Sequence, residues 1–164
     1  ACYVRGLVRA LDGTPIAGAE VRVNHAEPLP TSADGCFVVK ATVAAPQPVA
    51  HVGPVSRLLA ALGRHPWRPA HLHFLAYRPG FKTLISQVYS SDDKFLDSDV
   101  QFGVTKALIG SYVKHEGPAP AADVKAPWYA LDYTFVMEPG EMKLPRPPIK
   151  GKASGERPDI PRLA

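Results

Sequence analysis

The side chains most able to do chemistry sit in Arg68-Pro69-Ala70-His71-Leu72-His73-Phe74. A proline-rich approach, Arg64-His65-Pro66-Trp67, leads into it and the stretch then opens into a strand pattern. Alternate residues of a strand share a face, so His71 and His73 point one way while Leu72 and Phe74 point into packing. Two imidazoles on one rigid face can share a metal ion. The bare H-x-H spacing is short and common, and two structural histidines are its ordinary meaning. The Pro-constrained Arg68 just before the pair adds a permanent cation, which could stabilise negative charge on a ligand or serve in a salt bridge.

The strings "GPVSRLLAALGRHPWRPAHLHF", "YRPGFKTLISQVY" and "LDSDVQFGV" together resemble the intradiol ring-cleaving dioxygenases, in particular the catechol, chlorocatechol and hydroxyquinol 1,2-dioxygenases. The resemblance runs from about Val4 to Val136. It implies a non-haem ferric iron held by two tyrosinates and two histidines, the latter matching His71 and His73. The arginine of the R-P-x-H-x-H motif matches Arg68, and a glutamine on the following strand matches Gln87. It also implies a small aromatic diol and dioxygen as substrates. The ring bond between the hydroxyl-bearing carbons breaks, giving a muconate, or maleylacetate from hydroxyquinol. In that setting phenolate oxygens stabilise the ferric state, Arg68 steadies charge building on the ring, and Gln87 orients oxygenated groups through its amide.

The tyrosines depart from the pattern. The family's first tyrosine follows a "W-x-x-N-x-x-G-x-Y" segment; here Val23-Asn24-His25-Ala26-Glu27-Pro28 runs straight into Leu29-Pro30-Thr31, with Asn24 in the Trp position. The second lies before "D-G-P-V"; here the loop is Pro46-Gln47-Pro48-Val49-Ala50-His51-Val52-Gly53, and Val49 stands in the tyrosine's place. None of the six tyrosines matches either position. Three readings stay open: a truncated or rearranged site, a site completed by other donors, or a degenerate non-catalytic sandwich keeping part of the motif. His51 lies in the loop that normally delivers a ligand, so His51, His71 and His73 form a candidate three-imidazole set, with His25 and Glu27 as weaker additions. Such a set would suit a divalent zinc, copper or ferrous ion as well as ferric iron, or the site takes no metal. His65 and His115 read as surface residues.

The elements that must position these residues are short strands. The 164-residue chain has 18 prolines and ordinary charge content, which favours a loop-rich β protein of one domain. Strand patterns cover Tyr3–Leu11, Ala19–Val23, Cys36–Thr42, His71–Tyr77, Thr83–Tyr89 and Tyr129–Val136, punctuated by Asp12-Gly13, Asp34-Gly35 and Pro79-Gly80. The fold class this implies is all-β, an antiparallel β-sandwich with long loops and one or two short helices. The first strands alone would also suit a transthyretin-like module. Val55–Leu62 has apolar residues at helical spacing, with Gly63 as a helix end, and reads as a packing helix. Ala107–Val113 fits a strand or a short helix, Gly117–Pro127 a linker, and Asp92–Asp99 a solvated acidic loop. The sandwich is expected over 1–137 and a Pro/Lys/Arg-rich arm over 138–164.

Net charge is +4, with much of the basic excess near the C-terminus and no basic stripe interleaved with aromatics, so no nucleic-acid partner is expected. No run is long enough to span a membrane and no signal peptide is visible, so the expected location is cytoplasmic. Cys2 and Cys36 suggest no disulfide framework and read as small buried hydrophobes. A homo-oligomer is compatible with the sequence, though nothing before Tyr3 resembles the helical dimerisation segment of the family's larger members.

Overall fold

The computed structural model describes residues 2–24, 26–119 and 125–143. Eleven strands and one helix follow in chain order among them. These are β1 (Cys2–Ala10), β2 (Glu20–Val23), β3 (Leu29–Pro30), β4 (Cys36–Ala41), β5 (Gln47–Pro48), α1 (Pro54–Ala61), β6 (Trp67–Arg68), β7 (His71–Tyr77), β8 (Leu84–Ser90), β9 (Ile109–Gly110), β10 (Tyr112–His115) and β11 (Trp128–Met137). A four-stranded sheet has the order β10-β11-β1-β4, a five-stranded sheet β3-β2-β7-β8-β9, and β5-β6 make a small ribbon. The β-sandwich expected from the strand patterns is what forms. Its pairing is antiparallel except at β1–β11 and β8–β9, which run parallel.

Period-two alternation builds the core. Val4 and Val8 of β1, Val21 and Val23 of β2, Leu72, Phe74 and Ala76 of β7, and Leu131, Phe135 and Met137 of β11 are all nearly sealed from solvent and form one cluster. Phe135 ties the sheets together, with its ring 4.6 Å from that of Phe74 and 6.0 Å from that of Phe37. The opposite face of β7 carries His71, His73, Leu75 and Tyr77, so the chemical residues lie on the back of the five-stranded sheet. Loops and the β5–β6 ribbon gather over that back surface.

Several sequence expectations are corrected here. Helix α1 forms close to its expected place, and Gly63 follows it at φ 62°, as a helix-ending glycine should. It is not a packing helix, however: none of its residues is buried, and Val55, Leu58 and the adjacent Leu62 stay exposed. Its stripe meets no core surface among the described residues. The segment 92–99 is not simply a solvated loop, because Asp99 is 3% exposed. Ala107–Val113 divides between a 3-10 turn (Lys106–Leu108), β9 and the start of β10. Cys2 is buried as expected; Cys36 is only half-buried, and both thiols are free. Of the basic arm, 138–140 is tied to the β7–β8 turn through the Lys82 N–H to Glu138 O and Gly140 N–H to Gly80 O hydrogen bonds, and 144–164 falls outside the described residues. The linker is described only at its two ends. Among the described residues no helix is long and apolar enough to cross a membrane.

One close approach makes the core testable. Gly6 faces Phe37 across the β1–β4 ladder, and a Cβ on residue 6 would fall 2.0 Å from Phe37 Cε1. Gly6→Ala is expected to cost about 1–3 kcal/mol through overpacking. Urea unfolding should show it, and an unchanged midpoint would mean the ring can swing clear.

Candidate metal and diol site

Local chain chemistry sets the site. Pro69 forces Arg68 away from helical angles, and β6 then pairs Arg68 with Gln47 of β5. Arg68 is 7% exposed, and its side chain turns inward under the sheet's back surface. Its Nε donates to Asp99 Oδ1 at 3.3 Å, and its Nη2 donates to the Tyr89 hydroxyl at 2.6 Å and to Asp99 Oδ2 at 3.4 Å. Its Nη1 lies 3.3 Å from His71 Nε2. Asp99 is itself fixed by backbone donors, Gly103 N–H at 2.8 Å and Gln101 N–H at 3.2 Å.

Strand register completes the arrangement. Tyr89 lies opposite His71 and Gln87 opposite His73, so β7 and β8 present a two-by-two block of polar rings and amide on one face. The His71 Nδ1–H donates to Pro69 O at 2.7 Å, which leaves Nε2 as the acceptor for the Arg68 Nη1–H group 3.3 Å away. His73 Nε2 stands 3.2 Å from His71 Nε2. Two imidazole nitrogens on one first-row metal, each about 2.1 Å from it and about 90–110° apart, would lie about 3.0–3.4 Å from each other. The separation matches two nitrogens on one ion and equally a hydrogen bond between the two rings. His71 is buried and His73 exposed, so the pair reaches the surface on the His73 side. Asn24, at φ 52°, pins this edge: its N–H donates to His73 O and its Oδ1 accepts from His73 N–H, both at 2.9 Å.

Charge states follow from surroundings. Burial, above all, pushes the His71 imidazole below its usual range, and the Arg68 charge adds to this against the Pro69 hydrogen bond, so the ring stays neutral. Burial raises the Tyr89 phenol despite the nearby Arg68, so it stays protonated and donates to Gln87 Oε1 at 3.0 Å. That bond fixes the Gln87 amide with its NH2 as the outward donor. Burial also works against the Asp99 carboxylate, but the Arg68 hydrogen bond and the Gly103 and Gln101 N–H groups outweigh it and hold the group below the usual carboxylate range.

The structure thus brings together Arg68, His71, His73 and Gln87. It does not bring in His51, which is exposed and bonded through Nδ1 to Val49 O at 2.9 Å. Among the described residues no three His, Cys, Asp or Glu side chains gather at metal-holding geometry, so the three-imidazole set does not form there. Glu27 is exposed, and His25 lies outside the described residues. His65 and His115 are half-buried rather than surface residues: His65 Nε2 pairs with Ser98 Oγ at 2.8 Å, and His115 stacks on Trp128. Val49 contributes its N–H to Pro66 O, and the β5–β6 ladder places Gln47, not Val49, opposite Arg68.

Two members of the cluster went unread in the sequence. Tyr89 matches no ligand position of the family, yet period two from Gln87 puts it on the site face. Asp99 reads in sequence as part of an acidic loop, and folding buries it. Its only local signal is the glycine four residues on, whose missing side chain admits the cluster: a Cβ at Gly103 would lie 2.7 Å from the Tyr89 hydroxyl, 3.1 Å from Arg68 Nη2 and 3.2 Å from Asp99 Oδ2.

Known proteins resemble this chain in sequence and in fold. A family model described as dioxygenase matches residues 24–139. The chain is 39% identical over 157 residues to a 6-chlorohydroxyquinol 1,2-dioxygenase of Cupriavidus pinatubonensis, covering 84% of this chain and 54% of that protein. This chain belongs to the intradiol ring-cleavage dioxygenases. It is 42% identical over 106 residues to an intradiol ring-cleavage dioxygenase of Aspergillus niger, covering 63% of this chain and 32% of that one. In three dimensions it is similar to a hydroxyquinol 1,2-dioxygenase from Pseudomonas putida, with TM-score 0.77 and 33% identity over 85% of this chain and 56% of the other. The chain spans about half the length of the Cupriavidus and Pseudomonas proteins.

The buried ion pair generates three expectations. Asp99→Ala should cost about 3–5 kcal/mol, because it strands the Arg68 charge in a site closed to water; chemical unfolding measures it. The depressed Asp99 pKa contributes stability above the ordinary carboxylate range, and that contribution drains away as pH falls through the lower folded value. Asp99→Asn should therefore flatten the acid side of the stability-pH profile, and an unchanged acid slope would exclude this group as its source. Gly103→Ala should cost about 1–3 kcal/mol by wedging Tyr89 from Arg68.

Proposed function

We propose that this chain serves intradiol cleavage of a catechol-type diol by dioxygen, with hydroxyquinol and chlorinated relatives as the favoured substrate class. The observation that carries the reading is the convergence of His71 Nε2 and His73 Nε2 at 3.2 Å, with the Arg68 guanidinium 3.3 Å from the first of them. The family membership and the named substrates of the relatives support it.

The iron that the family implies meets a partial fit. The nitrogen pair suits an ion, but the phenolates that steady a ferric ion do not join it: the Tyr89 ring, 5.5 Å from that of His71, keeps its proton and its hydroxyl is engaged by Arg68 and Gln87. The chain's own residues still have assignable work. The open side of His73 admits the diol edge. Arg68, permanently charged and nearly dry, steadies negative charge on the ring more strongly than it could in water. The Gln87 NH2 orients an oxygen of the substrate.

Purified chain supplied with iron and hydroxyquinol or catechol should form the ring-opened acid, followed by its ultraviolet absorption. His71→Ala and His73→Ala should abolish the product, and Arg68→Gln should lower the rate at least tenfold, about 1.4 kcal/mol of transition-state stabilisation. No product from the wild-type chain, with iron demonstrably present, would overturn the proposal. Tyr89→Phe should leave the metal content unchanged and slow turnover, since Gln87 then loses the partner that fixes its amide.

A further inference from the structure

His71 is fixed through its ring, by Pro69 O and by Arg68. The main chain of residue 73 is anchored by Asn24. In β7 the N–H and C=O of residue 73 both turn toward β2, so its pairing with Gln87 of β8 is the non-hydrogen-bonded kind. The β2–β7 ladder pairs Val23 with Phe74 and would next pair residue 24 with residue 73. Half of that pair forms in the usual way, Asn24 N–H to His73 O at 2.9 Å. The other half is a replacement. At φ 52° Asn24 leaves the strand conformation and β2 ends at Val23. Its side-chain Oδ1 then accepts from the His73 N–H, also at 2.9 Å, in place of a main-chain carbonyl. The two bonds fix the peptide planes on both sides of the His73 Cα, and with them the direction in which its Cβ leaves the sheet.

The conformation matters as much as the bonds. Directly paired residues share a face of the sheet, so a residue 24 in ordinary strand conformation would stand its side chain beside the His73 ring. At positive φ the amide instead folds back onto the edge of β7. Asparagine is among the few residues besides glycine that take this conformation, and it carries an acceptor that glycine and tryptophan side chains lack. Tryptophan is what the family pattern has at this position, so the device is not part of that pattern. We propose that Asn24 is the positioning residue of His73. Its amide oxygen stands in for a continued β2 and holds the His73 imidazole in register with that of His71, while the chain turns off and leaves the flank of the ring clear. This rests on the reading above in taking the two rings as the working pair, and adds how the exposed one is aimed.

The test uses the isotope-labelled, metal-free chain at about pH 8.5, where ordinary imidazoles are neutral. Nuclear magnetic resonance reads amide exchange at His73 and the ring-nitrogen signals of His71 and His73. Asn24→Asp keeps the acceptor and the tolerance for positive φ, and should keep both readouts. Asn24→Gly keeps the backbone turn and removes the acceptor, and Asn24→Ala removes both. In these two variants the His73 amide should exchange about tenfold faster and the ring signals should shift, with the amides of β1 in the other sheet unchanged. Asn24 is exposed, so all three variants should fold. With iron and catechol supplied, the Gly and Ala variants should lower kcat about tenfold, and the Asp variant should restore it. A Gly variant as protected as the wild type would overturn the inference, because the turn alone would then suffice. So would lost protection with unmoved ring signals, which marks a bond that is structural only, or an active chain in which the Gly and Ala variants keep full kcat. The two readings fail separately. An inactive chain whose rings answer to Asn24 removes the activity alone; an active chain whose ring signals ignore Asn24 removes this inference alone.

Discussion

A full positive charge at 7% exposure is tolerable only if something answers it, and in this fold Asp99 does. The Arg68–Asp99 pair is the constraint on which the back of the sheet is built. Taking two charges out of water costs several kcal/mol per ion, and only good geometry with every remaining donor and acceptor satisfied offsets it. The chain meets that condition with backbone: the Gly103 and Gln101 N–H groups complete Asp99, while Tyr89 and His71 occupy the remaining face of Arg68. One consequence is order. Arg68 cannot turn without abandoning Asp99, so Tyr89 is fixed, Gln87 is fixed through Tyr89, and His71 Nε2 is held against Nη1.

The pair also links distant parts of the chain. Arg68 belongs to a two-residue strand held by β5, Asp99 to the loop after β8, and Tyr89 to β8 itself. Asp93 does similar work nearby, receiving the Ala70 N–H just before β7 begins and the Phe95 N–H within its own loop. Together these carboxylates hold the loops against the strand that carries the histidines.

Much of this was legible in the sequence. Alternation gave the strands of the sandwich, and the same period placed His71 and His73 side by side. The Pro after Arg68 announced an extended entry to β7. What stayed hidden was long-range. Whether Val55, Leu58 and Leu62 bury their stripe depends on what lies across from it, which local spacing does not encode. Asp99 looks like any acidic loop residue until its 31-residue separation from Arg68 is closed by folding. His51 sits in a loop that resembles a ligand loop, yet β5–β6 pairing carries Gln47 to the Arg68 position and leaves His51 in solvent. Matching by string thus located the histidine strand but could not say which loop side chain faces it.

The pleat of β7 has an evolutionary corollary. Its inward residues weld the two sheets, and its outward residues make up the chemical surface, one peptide apart yet on opposite sides of a rigid wall. Substitutions on the outer layer can change what that surface binds without opening voids in the inner one.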